Sequence, residues 1–178
     1  DFSGQVHRLW TESGEEILTN SVIIATGASA KWLGLPSEKK LTNKGVSACA
    51  VCDGFFYRGQ EVAVVGGGDT AAEEATYLSK LCPKVHLLVR RDELRASKIM
   101  QERVAKTVNI QIHWNTEVQE VLGEDKVTGI QVINNKTKQT SEIPATGLFV
   151  AIGHQPNTGI FKDWLEMDQS GYLITTPG

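Results

Sequence analysis

The run Glu61-Val-Ala-Val-Val-Gly-Gly-Gly-Asp-Thr-Ala71 decides the fold. Residues 61–65 are a short apolar strand, and three glycines then turn the chain into a helix expected over 69–81. Alanines are spaced along the sheet side of that helix, and Pro83 stands just beyond its end. The segment 66–71 fits G-x-G-x-x-A, a weak pattern that gains meaning directly after a strand and at a helix start. Gly66 permits the tight turn, Gly68 lets a pyrophosphate approach the backbone, and Ala71 allows close helix–strand packing. Gly67, Asp69 and Thr70 complete the loop, where helix N-terminal amides offer donors and a partial positive charge. The alternative is a glycine turn that merely packs a helix on a sheet.

Working outward, a strand over 84–89, a helix over about 96–106 and a strand over 110–114 complete a βαβαβ unit. A three-stranded meander follows at 116–122, 127–134 and 140–143, with turns near Gly123 and at Asn135-Lys136. A further apolar strand is expected at 147–152. Upstream, 5–11 and 16–25 read as a hairpin around Ser13-Gly14. Its end, 22–25, has the continuous apolar character of a strand covered on both faces. Asp1 stands where a Met would, nothing upstream could cover 22–25, and 171–178 ends in a short strand and a Pro177-Gly178 turn. The expectation is therefore a piece of a larger protein.

Composition narrows the function classes. The 178 residues carry 18 Lys+Arg against 21 Asp+Glu, a formal charge of -3, so general nucleic-acid or membrane-surface binding has no electrostatic basis. The longest apolar runs, 21–27 and 62–65, are far short of the roughly 20 residues a bilayer requires. No signal peptide is visible, and a soluble, cytoplasmic protein is expected. Three cysteines, two of them close together, fit a redox or metal site better than a secreted disulfide framework.

The strand at 84–89 leads into Arg90 and Arg91, with Arg95 beyond. NAD-specific folds place an acid at this point to bind the ribose hydroxyls. Guanidinium groups instead bind a 2′-phosphate with charge-assisted hydrogen bonds, so NADPH is expected over NADH. Asp92 and Glu93 are counter-signals, since they could neutralise the patch, and a solvated arginine turn is the bland alternative.

Cys49-Ala-Val-Cys52-Asp53 is the second candidate site, expected in a turn. Two intervening residues let the sulfurs meet, so the pair can cycle between dithiol and disulfide. Asp53 offers a carboxyl for the proton exchange that thiolate chemistry requires. A zinc site of Cys49, Cys52, Cys82 and His86 is the competing reading. It is disfavoured because Cys82 and His86 belong to the nucleotide fold.

Taken together, Cys49-Ala-Val-Cys-Asp-Gly-Phe-Phe-Tyr57, the glycine loop, the three arginines, Ile24-Ala-Thr-Gly27 and Gly147-Leu-Phe-Val-Ala-Ile-Gly-His-Gln-Pro-Asn157 closely resemble the bacterial low-molecular-weight thioredoxin reductases. The resemblance covers essentially the whole chain. It implies an α/β fold with a Rossmann-like NADPH-binding domain inserted in an FAD-binding domain. The insert, with the Cys-x-x-Cys pair, would span 40–144, and 1–39 and 145–178 would be partial FAD-domain segments. By resemblance, Cys52 is the thiol beside the flavin, Cys49 the interchange thiol and Asp53 the acid. Electrons would pass from NADPH through FAD to the disulfide and on to thioredoxin, in a homodimer. The family rotates its insert, and 42–45 with 145–147 are the expected hinges. The family's FAD glycine loop is absent, so this chain alone is expected to bind NADPH without turning over. Val89 departs from the family's usual His.

The flavoprotein subunit of alkyl hydroperoxide reductase shares this plan but usually carries Pro-His between the cysteines, and Phe55-Phe56-Tyr57 favours the thioredoxin reductase reading. Related dithiol oxidases lack the arginine triplet. A bare nucleotide-binding module is the reading from a different class.

Overall fold

The computed structural model describes residues 1–176, in two compact units, Ala30–Gly153 and Asp1–Ser29 with the chain from His154 on. In the smaller unit, β1 (His7–Trp10) and β2 (Glu16–Thr19) form the expected antiparallel hairpin, in register His7↔Thr19 to Trp10↔Glu16. The second strand stops at Thr19, short of the apolar run at 22–25, and Ile23 is 93% exposed. In this register, residues beyond Thr19 would have to pair with residues ahead of His7. Those turn back instead: the Asp1 ammonium donates to Arg8 O at 2.6 Å and Arg8 N–H to Asp1 O at 3.0 Å. Phe2 packs among His7, Phe161 and Trp164, with ring centroids 5.0, 6.3 and 6.2 Å away. Ala28–Ala30 forms the short strand β3. The expected Pro177-Gly178 turn lies outside the described residues.

The larger unit holds, in chain order, α1 (Pro36–Lys40), β4 (Val46–Ser47), α2 (Ala50–Asp53), β5 (Glu61–Val65), α3 (Asp69–Leu78), β6 (Lys84–Val89), α4 (Lys98–Lys106) and β7 (Ile110–Trp114). Next come β8 (Thr116–Leu122), β9 (Gly129–Asn134), β10 (Thr140–Ile143) and β11 (Gly147–Val150), and β12 (His154–Pro156) opens the return to the smaller unit. Five strands form a parallel sheet in the order β4-β11-β5-β6-β7. β8, β9 and β10 form an antiparallel sheet in the order β10-β9-β8.

Alternation along β5 and β6 explains the layering. Val62, Val64, Val85 and Leu87 point into one core with Ala71, Ala72, Ala75 and Leu78 of α3 and Met100 and Val104 of α4. Ala63, Val65 and Leu88 point into a second core with Val121, Ile130, Val132 and Ile143 of the antiparallel sheet. Both faces of the parallel sheet are covered, which is why its strands read as continuous apolar runs. Each fully buried Val or Leu contributes about 1.5–3 kcal/mol relative to exposure.

Some boundaries differ from the sequence expectation. α3 ends at Leu78 because Lys80 and Leu81 N–H groups bond three residues back, to Tyr77 and Leu78, tightening the last turn. β9 begins at Gly129 because the Val127 N–H is taken by Lys44 O at 3.0 Å. The segments 42–45 and 145–147, expected as hinges, are bonded into this unit. Leu148 N–H donates to Gly45 O at 2.8 Å, and the chain passes between the units at 29/30 and 153/154.

Candidate functional site

A cleft of about 680 Å³ opens over the C-terminal ends of β5, β6 and β11, where open α/β sheets bind ligands. The loop Gly66–Gly68 forms its floor, and Arg90, Arg91 and Arg95 line it together with Lys31, Glu93, Thr116 and Glu117. Gly66 has φ +149, and a Cβ there would collide with Ala151 O and sit 2.8 Å from the Ala71 Cβ. No other residue fits this turn. A Cβ on Gly67 would press on Val89 Cγ1 at 3.2 Å, so Val89 packs beneath the loop. Gly68 differs, since a Cβ there would meet nothing within 4 Å. Its bare Cα faces open space at the start of α3.

The loop is tied to the arginine segment. Arg95 N–H donates to Gly67 O at 2.7 Å, and Asp69 Oδ1 accepts from both the N–H and the hydroxyl of Ser97, each at 2.8 Å. Those bonds hold the Asp69 carboxyl below its usual range. Thr70 lines the cleft and Ala71 is fully buried. Of the two acids that could have neutralised the arginines, Asp92 is paired with Lys136 at 2.6 Å, while Glu93 lines the cleft. Among the described residues, Arg90, Arg91 and Arg95 make no ion pair.

On the same unit, Cys49 and Cys52 are joined in a disulfide, their Cα atoms 5.3 Å apart. The pair sits at the start of a one-turn helix rather than in a plain turn. Cys49 caps α2, and its Sγ accepts the Cys52 N–H at 3.2 Å. Cys52 is exposed and Cys49 half-buried. Ser47, at the end of β4 and buried, organises the turn: its hydroxyl donates to Asp53 Oδ2 at 2.6 Å and accepts the Cys49 N–H at 3.1 Å. The Tyr57 hydroxyl is pushed up by burial first and by the Asp53 charge second. Glu74 of α3 is pushed up to about 7 by burial, partly offset by the Ala50 N–H at the start of the cysteine turn.

The four candidate zinc ligands do not converge. Cys82 is packed in the helix-side core with its Sγ 3.4 Å from Tyr57 O, and burial pushes its thiol up to about 11, leaving it protonated. His86 points to the opposite face of the sheet, as alternation with Val85 and Leu87 requires. It is buried, with its Nε2 3.2 Å from Glu61 Oε2 and its Nδ1 3.0 Å from His113 Nε2. The sequence assigns Ser47 no role and places Asn135-Lys136 only in a turn; Ser47, two residues before Cys49, stands close enough to a motif to have been found.

The sequence matches the pyridine nucleotide-disulphide oxidoreductase family over residues 3–177. It is 52% identical over 184 residues to a thioredoxin reductase of Debaryomyces hansenii, covering 100% of this chain and 57% of that protein. It is 55% identical over 163 residues to one of Coxiella burnetii, covering 89% of this chain and 51% of that protein. The chain thus spans somewhat over half the length of the curated relatives it matches. Among solved structures, the Lactococcus lactis thioredoxin reductase in its FR conformation superposes with a TM-score of 0.87 at 39% identity, over 97% of this chain and 57% of that one. A glycine loop and a cysteine pair on one α/β unit, together with these likenesses, show that the chain belongs to the pyridine nucleotide-disulphide oxidoreductase family.

Proposed function

We propose that this chain supplies the NADPH site and the redox-active disulfide of a thioredoxin reductase. The observation that carries the reading is the cleft in which an open Gly68 and three unpaired arginines meet, on the unit that bears the Cys49–Cys52 disulfide. The nucleotide-binding insert, 40–144, lies wholly within the unit Ala30–Gly153, and 1–39 with 145–178 contribute parts of an FAD-binding domain. When bound, NADPH supplies a hydride and FAD a two-electron relay. FAD, thioredoxin as partner, a homodimer and a cytoplasmic location enter this reading from the relatives' names and the resemblance. No helix among the described residues is long and apolar enough to cross a membrane.

The chain's own residues divide the work. The Gly66–Gly68 loop and the α3 amides, with Asp69 and Thr70 at the helix start and Ala71 packed beneath, hold the pyrophosphate. Arg90, Arg91 and Arg95 hold the 2′-phosphate. Two electrons and two protons open the Cys49–Cys52 disulfide to a dithiol, and Asp53, held by Ser47, carries a proton to or from sulfur. The Cys49 thiolate then attacks the partner's disulfide and expels one partner thiolate. Cys52 attacks the resulting mixed disulfide, releasing the reduced partner and restoring Cys49–Cys52.

Calorimetric titration of the chain with NADPH and NADH tests the nucleotide half. A preference for NADPH above about tenfold, ~1.4 kcal/mol, carries the reading, and equal affinity overturns it. The disulfide half is tested in a protein of the relatives' length, where Cys49→Ser and Cys52→Ser should each abolish NADPH-dependent thioredoxin reduction. Turnover of a peroxidase partner alone would assign the chain to the alkyl hydroperoxide reductase flavoproteins.

A further inference from the structure

The loop that carries the three arginines of the cleft also carries two acids, Asp92 and the cleft-lining Glu93. Asp92 follows Arg91 directly, near enough for the Arg91 charge to act on its carboxylate. In the structure it pairs elsewhere. Asp92 Oδ2 accepts from Lys136 Nζ at 2.6 Å, 44 residues away in sequence. The hydrogen bond from Lys136 is the largest cause holding the Asp92 carboxyl below its usual range, and the charge of Arg91 is the least. Lys136, not Arg91, is the cation that occupies it.

Lys136 is aimed by the turn that joins β9 to β10. Asn134 Oδ1 accepts the N–H groups of Lys136 and Thr137, each at 3.0 Å, and Lys138 closes the turn onto Asn134 O at 2.8 Å with φ +62. The same turn is bonded to the arginine segment. Asn135 Nδ2 donates to Arg90 O at 2.7 Å and to Glu117 Oε1 at 2.8 Å. Asn135 N–H donates to Asn115 O at 2.7 Å, and Asn115 N–H to Arg91 O at 3.0 Å. These bonds hold the hairpin tip over the loop after β6, within reach of Asp92.

We propose that Lys136 is a specificity-determining residue of the nucleotide site, which by occupying the Asp92 carboxylate leaves Arg90, Arg91 and Arg95 free for the 2′-phosphate. Lys136 is a positioning residue that acts through Asp92. The inference rests on the NADPH reading above and adds to it the residue that keeps the arginines available.

The test titrates the intact chain with 2′,5′-ADP, which carries the 2′-phosphate, and with 5′-AMP, which lacks it. Lys136→Met releases Asp92 and should weaken 2′,5′-ADP about three- to fivefold at low salt, a difference that shrinks on adding salt. Binding of 5′-AMP should not change. Asp92→Asn in the Lys136→Met background should restore 2′,5′-ADP binding, and Lys136→Arg should keep it. Unchanged 2′,5′-ADP binding in Lys136→Met overturns the role. So does an equal loss for both ligands that Asp92→Asn does not restore, since that marks a merely structural lysine. A native chain that binds the two ligands equally overturns the NADPH reading itself, which separates the two failures.

Discussion

The Ser47 hydroxyl donates to Asp53 at 2.6 Å while accepting the Cys49 N–H at 3.1 Å, so one buried side chain fixes the proposed acid and the first cysteine of the pair. Ser47→Ala leaves a carboxylate and an amide without this partner. Urea unfolding of the oxidised chain should show a loss of about 1–3 kcal/mol, with Ser47→Thr retaining most of the native value. Unchanged stability in Ser47→Ala would remove Ser47 from the account of the site.

Gly66 and Gly68 should respond in opposite ways to one added methyl group. Gly66→Ala meets a positive φ and the Ala151 carbonyl, and should destabilise the fold by about 2 kcal/mol or more. Gly68→Ala has space in the fold and should change stability by less than about 1 kcal/mol. Its methyl group would project where the pyrophosphate is proposed to lie, so NADPH titration should show at least about a tenfold loss, ~1.4 kcal/mol.

The Glu61–His86–His113 chain predicts acid sensitivity. With Glu61 accepting from His86 Nε2–H, His86 Nδ1 is left to accept from His113 Nε2–H, and both rings are neutral. Burial, and then the charge of His86, push His113 down to about 4 from 6.5. Burial is likewise the main cause lowering His86. The unfolded chain therefore binds more protons across this window, so stability should rise from pH 4 to 6.5 and be lost on acidification. Urea midpoints measured across that range should show the slope, and His113→Asn should flatten it.

Glu74 predicts the opposite sign. Its carboxyl is pushed up to about 7 from 4.5 by burial, and its Oε2 is buried without a partner. Here the folded chain binds the extra proton, so the stability present below pH 4.5 is lost as pH rises through about 7. Glu74→Gln cannot ionise. It should be about 1 kcal/mol more stable than the native chain at pH 8, partial solvent screening keeping the gain well below the full shift, and close to it at pH 5. A destabilised Glu74→Gln at pH 8 would contradict this assignment.

Local chemistry made much of the protein legible from its sequence. The 61–71 run could only be a strand, a positive-φ turn and a helix start. The two-residue spacing of Cys49 and Cys52 allowed their sulfurs to meet, and the arginines after β6 were contiguous enough to be seen as one charged patch. These features depend on residues a few positions apart, so periodicity and spacing expose them. Tertiary structure decided what depends on distant partners. The apolar run at 22–25 forms no strand among the described residues, and the residues ahead of His7 turn back on Arg8. Gly147–Val150 enters the parallel sheet between Val46–Ser47 and Glu61–Val65, although neither is its neighbour in sequence. Lys136, in the turn between β9 and β10, meets Asp92 in the loop after β6, and His86 meets His113 across the paired strands β6 and β7. Hydrogen bonds between residues tens of positions apart leave no periodic trace in a sequence, so the partners that tune the arginines and the buried histidines became visible only once the chain was folded.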